Sequence, residues 1–132
     1  MRELPDTDEA RRGAGMATRR EVLGDAHVDR AVAAITPFTA AFQDFITRTA
    51  WGDVWQRPGL ARRDRSLLTL SITIALRHWD EFALHVRAAK NNGLTDDEIG
   101  EVIQHAAVYA GVPAANHAFK VAAPILEELR GG

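Results

Sequence analysis

Residues able to do chemistry concentrate in "HWDEFALH", residues 78–85, which holds two of the chain's five histidines and two carboxylates. Glu81 and His85 are four apart, so on a helix they share a face, and the carboxylate can orient the imidazole or hold its proton. That is an acid/base pair. The same spacing also serves a plain exposed charge pair, which adds only about 0.3 kcal/mol to a helix. His78, Glu81 and His85 would together form a metal-binding face on a continuous helix. Asp80, a good N-cap residue, argues instead for a helix that begins after His78, and no metal site is expected.

A second group lies in "WGDVWQRPGL". Trp51 and Trp55 are four apart beside Arg57, a spacing that serves either a core pair or a wall for a flat anionic ligand. Arg65 leads into an apolar run and requires a carboxylate partner from protein or substrate, whereas Arg62 and Arg63 read as solvated. Tyr109, His105 and His117 sit on helices that also need core residues, and His105 reads as a structural histidine. The chain has no cysteine, which removes disulfides, thiolate ligands and thiol redox chemistry.

Helices must position these groups. Residues 1–15 carry Pro5, Gly13, Gly15 and dense charge, and read as a mobile arm. "ATRREVLG" and "HVDRAVAAI" follow as short helical segments split by Gly24. Pro37 then suits the first turn of a helix whose Phe38, Phe42, Phe45 and Ile46 face the core. After the break at Pro58 and Gly59, the run containing Leu67, Leu68, Leu70, Ile72, Ile74 and Leu76 predicts a buried central helix. Asp80 caps the next helix and Gly93 closes it. Thr95 and Glu98 form a capping box for a helix with Ile99, Val102, Ile103, Ala106 and Ala110 inward. Gly111 ends that helix, Pro113 opens the last one, and Pro124 predicts a kink in it.

The expectation is an all-α bundle of about six helices forming one domain over residues 16–132. A hydrophobic share of 46% with a net charge of −2 excludes both a disordered chain and a basic nucleic-acid binder. Charge of both signs in the first residues, and no apolar run near the ~20 residues that span a bilayer, predict a cytoplasmic protein without membrane contact. Alanine-rich helices in a small chain cover one another poorly, so self-association into a homo-oligomer is expected.

The segments "AGMATRREVLGDAHVDRA", "TAWGDVWQRPGL", "EFALHVRAAKNNGLTDDEI" and "VYAGVPAANHAF" resemble the gamma-carboxymuconolactone decarboxylases, across about Met16 to Phe119. The wider family includes alkylhydroperoxidase D-like proteins. Aligned on His85, their Cys-x-x-Cys falls at His78 and Glu81, so the peroxidase pair is absent here. Where the decarboxylases carry Asn-Arg this chain has Arg77-His78, and where they carry Asn-Asp-Ala it has Asn116-His117-Ala118.

The resemblance implies an alkylhydroperoxidase D-like helical fold and a hexamer. It also implies cofactor-free decarboxylation of gamma-carboxymuconolactone to β-ketoadipate enol-lactone, in the protocatechuate branch of aromatic catabolism. The lactone carbonyl, conjugated to the carbon that loses CO2, is itself the electron sink, so no cofactor is called for. What remains for the protein is a proton for the α carbon, assigned to His85 and Glu81, and a cation for the spectator carboxylate, from Arg57 or Arg65. Trp51 and Trp55 would exclude water, with His78, Tyr109 and His117 as further substrate contacts. The alternatives are a lactone-processing or isomerising enzyme of the same fold, suggested by His78 and His117, and a non-catalytic helical oligomer that binds a small ligand.

Overall fold

The computed structural model describes residues 4–131, and these are all-α, with seven α-helices and one π-helical segment. The chain divides into two compact units, residues 1–61 and 62–132.

In the first unit, α1 (Asp8–Leu23) starts where the Thr7 hydroxyl accepts from the Ala10 amide. Half of the expected arm is therefore helix, because Thr7 with Asp8 and Glu9 in the first turn is a stronger start signal than two glycines are a break. The expected short segment "ATRREVLG" is the second half of this helix. Gly24, at φ +92°, separates it from α2 (Asp25–Ala33). Residues 37–39 form turns rather than a helical start, and α3 (Ala40–Ile46) contributes no buried residue. Phe38 is 97% exposed and Phe42 and Phe45 are exposed too, contrary to the expected inward stripe. Helical periodicity identifies a shared face, not what covers it.

α3 runs into a π-helical segment (Thr47–Val54), in which the Trp55 amide donates to the Ala50 carbonyl five residues back at 2.9 Å. α1 and this segment meet through glycine. A Cβ built on Gly15 would lie 2.0 Å from the Thr47 carbonyl oxygen, and one on Gly52 would lie 2.2 Å from that of Arg11. Only residues without a side chain allow the two backbones to approach so closely.

The second unit is four helices: α4 (Arg62–Leu76), α5 (Trp79–Asn91), α6 (Asp96–Ala110) and α7 (Val112–Gly131). Its core joins Leu70 and Ile74 to Phe82 and Val86, to Ile99 and Ile103, and to a row of alanines on α7. α4 is only half buried, since Leu68, Ile72 and Leu76 lie exposed on its other side. The capping box at Thr95 is complete: its hydroxyl accepts from the Glu98 amide at 3.1 Å, and the Thr95 amide donates to Glu98 at 2.9 Å. Glu98 also pairs with Arg63, which is therefore held rather than simply solvated. These two contacts, the backbone amide first, hold the Glu98 carboxyl below its ordinary pKa. Gly93 and Gly111 both take positive φ just beyond the ends of α5 and α6, as expected. α7 continues through Pro124 to Gly131.

Candidate active site

α5 presents the histidine of interest. The helix begins at Trp79 with His78 in the cap position, two residues ahead of the expected cap at Asp80. Asp80 and Glu81 occupy its first turn, where their charge favours the helix N-terminus without a side-chain cap bond. The connection from α4 is tight, and Arg77 takes the left-handed conformation at φ 57°, which costs a non-glycine residue ~1 kcal/mol.

His85 is 6% exposed, on a helix whose Phe82 and Val86 are fully buried. Glu81, one turn earlier, is exposed. The pair therefore shares a helix and differs in environment: the imidazole is largely withdrawn from water while the carboxylate stays in it. His78 is exposed as well, so the three residues do not present a common metal-binding face. Among the described residues, no three His, Asp or Glu side chains are grouped to hold a metal ion.

His117, on α7, lies against Trp79, with ring centroids 4.4 Å apart and planes tilted by 48°. Trp79 in turn packs edge-on to Phe82 at 5.8 Å. One ring thus links the exposed His117 to the buried aromatic one turn before His85. His105 and Tyr109 pair at 5.3 Å on α6. Both are exposed, Tyr109 by 81%, so His105 is not the buried structural histidine expected from the sequence. They border an open groove of about 550 Å³ with Ser71, Ile72 and Ala75. A neighbouring groove of about 640 Å³ runs between Leu67, Leu68, Val102, Glu98 and His105. Arg65, in the first turn of α4, is half-buried.

In the first unit, the π-helical segment brings Trp51 and Trp55 into a stack, with ring centroids 5.2 Å apart and planes 29° from parallel. Trp51 is 7% exposed and Trp55 is half-buried. The wider π turn sets residues four and five apart almost above one another, which makes the stack possible. Arg57 follows in the exposed connection.

The sequence gives no hint of Gln56. It is buried, and its amide donates to the Ala14 carbonyl at 2.7 Å and to the Thr18 hydroxyl. It fixes the end of the π-helical segment to α1. A polar residue next to a Pro-Gly turn reads as loop; only its burial reveals this role.

The arrangement defines a class: an all-helical, cysteine-free protein with a largely buried helix-borne histidine and a stacked indole pair. The carboxymuconolactone decarboxylase family model matches residues 40–124, which include every candidate residue from Trp51 to His117. The chain belongs to that family. It is 47% identical, over 92% of its length and 91% of the relative's, to the 4-carboxymuconolactone decarboxylase of Acinetobacter baylyi. It is also 47% identical to the nitrosuccinic acid decarboxylase of Metarhizium robertsii, over 87% of this chain and 80% of that one. A 4-carboxymuconolactone decarboxylase from Pseudomonas putida is 52% identical over 46 residues, which are 35% of this chain and 96% of the relative.

Proposed function

We propose that this protein decarboxylates 4-carboxymuconolactone, the gamma-carboxymuconolactone of the resemblance above, to β-ketoadipate enol-lactone in the breakdown of protocatechuate. The observation that carries the reading is the identity to the Acinetobacter enzyme, which extends over nearly the whole of both chains. Breaking the bond to CO2 sends its electron pair through the alkene to the lactone carbonyl, forming a dienolate that then takes a proton at the α carbon. His85 supplies that proton from a largely buried position, and Glu81, one turn away in water, sets the charge near it. Arg57 or Arg65 provides a cation for the retained carboxylate, and Trp51 and Trp55 a flat apolar wall against water. His78, Tyr109 and His117 complete the substrate contacts. The substrate is its own electron sink, so the reaction needs no cofactor or metal.

The working form is a homo-oligomer in the cytoplasm, a hexamer by resemblance. Exposed Leu68, Ile72 and Leu76 along α4, with Val108, Tyr109 and Val112 further on, give it apolar surface to bury. No helix among the described residues is long and apolar enough to cross a membrane. A second reading is favoured by the equal identity to the fungal enzyme: decarboxylation of nitrosuccinate, with the nitro group as sink. The test is purified protein given the lactone, with CO2 release and loss of conjugated absorbance followed together. Turnover of neither signal above the uncatalysed rate would overturn the reading.

A further inference from the structure

Trp79, Phe82 and Val86 follow one another on α5 at offsets of three and seven, so at about 100° per residue they share one side of the helix and face the core of the second unit. Glu81 and His85, about 40° apart around the same axis, stand together beside that stripe. Phe82 and Val86 are fully buried, whereas Trp79, at the end of the stripe, is half-buried. What covers its outer end is a polar residue, His117 of α7, with ring centroids 4.4 Å apart. The same indole meets Phe82 edge-on at 5.8 Å.

Trp79 is what ties the first turn of α5 to the core. Asp80 and Glu81, the next two residues, are exposed. No side chain caps the helix; the His78 carbonyl accepts from the Phe82 amide at 2.9 Å. Behind it the chain passes through Arg77 at φ 57°, a conformation that a non-glycine residue keeps only where its surroundings impose it.

Resting on the decarboxylase reading above, in which His85 gives the proton, we infer that Trp79 is a positioning residue for Glu81 and His85 and that the His117 ring holds it in place. Both act through packing, without touching the reacting atoms. While the indole lies against the two rings, the first two turns of α5 keep their place, and the Glu81–His85 pair stands where proton transfer needs it. Without a ring at position 117 the indole tilts outward, Arg77 relaxes and the first turn follows. Displacing a proton donor by ~1 Å costs on the order of 10²-fold in rate. Partial release therefore slows turnover without unfolding, because Phe82 and Val86 keep the rest of α5 in the core. This duty of His117 is separate from the substrate contact proposed above: turnover reports the one and binding the other.

The test measures lactone turnover per folded enzyme in His117→Ala, His117→Phe, Trp79→Leu and Trp79→Phe, together with amide hydrogen exchange along α5 and α6. His117→Ala lowers kcat by ~10-fold and speeds exchange in the first turns of α5 but not in α6. His117→Phe, which returns a ring without its polar atoms, recovers most of that kcat and leaves KM raised. Trp79→Leu loses ~10²-fold in kcat and Trp79→Phe clearly less. If Trp79→Leu does not fold, His117→Ala, at an exposed position, carries the test. Added to His85→Ala, His117→Ala removes little more from kcat, since no proton donor is left to be positioned. Unchanged kcat in His117→Ala overturns this inference and leaves the proposed function standing. So do equal losses of kcat in His117→Ala and His117→Phe, or losses from His85→Ala and His117→Ala that simply multiply. If the unaltered protein does not decarboxylate the lactone, the decarboxylase reading itself falls, and this inference with it.

Discussion

The α5–α6 hairpin and the pairing of α1 with the π-helical segment are held together by different means. The hairpin is signposted from within: Gly93 turns the chain, Thr95 and Glu98 cap each other, and Ile99 and Ile103 follow at helical spacing. The α1 pairing depends on residues about 37 positions apart in sequence, Gly15 and Gly52, and on Gln56 reaching Ala14 and Thr18. The first is written in neighbours and the second in coincidences. Each is broken by a different kind of change.

Glycine substitution separates them most strongly. Gly52→Ala places a methyl 2.2 Å from the Arg11 carbonyl oxygen, so one backbone must move. Loss of ~3 kcal/mol is expected, read as a fall in the urea midpoint. Gly13, two residues before Gly15 on the same helix, has nothing within 4 Å of a built Cβ, and neither has Gly100 on α6. Alanine at either should instead raise stability, by ~1 kcal/mol, as it does at open helical sites. If Gly13→Ala and Gly15→Ala shift the midpoint the same way, the close approach of the two backbones is not what holds this pairing.

The hairpin responds to its cap. Thr95→Ala should cost ~1 kcal/mol, the ordinary worth of a hydroxyl N-cap, and Thr95→Ser should recover most of it. Equal losses in both variants would mean that the hydroxyl contributes nothing.

The smallest effect concerns acid. Asp44 accepts hydrogen bonds from Arg12 and Arg48, and these lower its pKa from 3.8 to about 2. A carboxyl more acidic in the folded state adds stability above its unfolded pKa, and that contribution disappears as pH falls from about 3.8 through about 2. Asp44→Asn should therefore flatten the acid limb of the stability curve in that window and change little at neutral pH. Both groups lie at the surface, so the change is small and salt should diminish it.

The contrast also explains how far the sequence could be read. The all-α class, the cap at Thr95, the turns at Gly93 and Gly111, and the inward face of α6 all follow from local rules, and all appear. Misreadings fall where the outcome depends on what covers a face. Phe38, Phe42 and Phe45 carry a helical spacing and lie exposed. α4 looks almost wholly apolar beyond its charged first turn and buries one side only. At the candidate site, sequence identified His85 and the two indoles as residues of interest. It did not reveal that His85 is buried beside an exposed Glu81, that His117 lies against Trp79, or that the indoles ride a π turn. Spacing supplies the phase of a side chain, whereas burial and ring contacts come from distant chain.

The π turn has a consequence for length as well as shape. A π-helical segment is an α-helix that has taken in an extra residue, and each residue of an α-helix turns the chain by ~100°. Removing one residue between Thr47 and Ala50 would let the segment relax into regular α-helix with every later side chain unchanged in identity but rotated. Trp51 and Trp55, still four apart, would turn together, and the Gln56 amide would turn away from Ala14 and Thr18. This stretch therefore measures out a fixed rotation before the chain leaves for Arg57, and it should tolerate many exchanges of residue type while tolerating no change in their number.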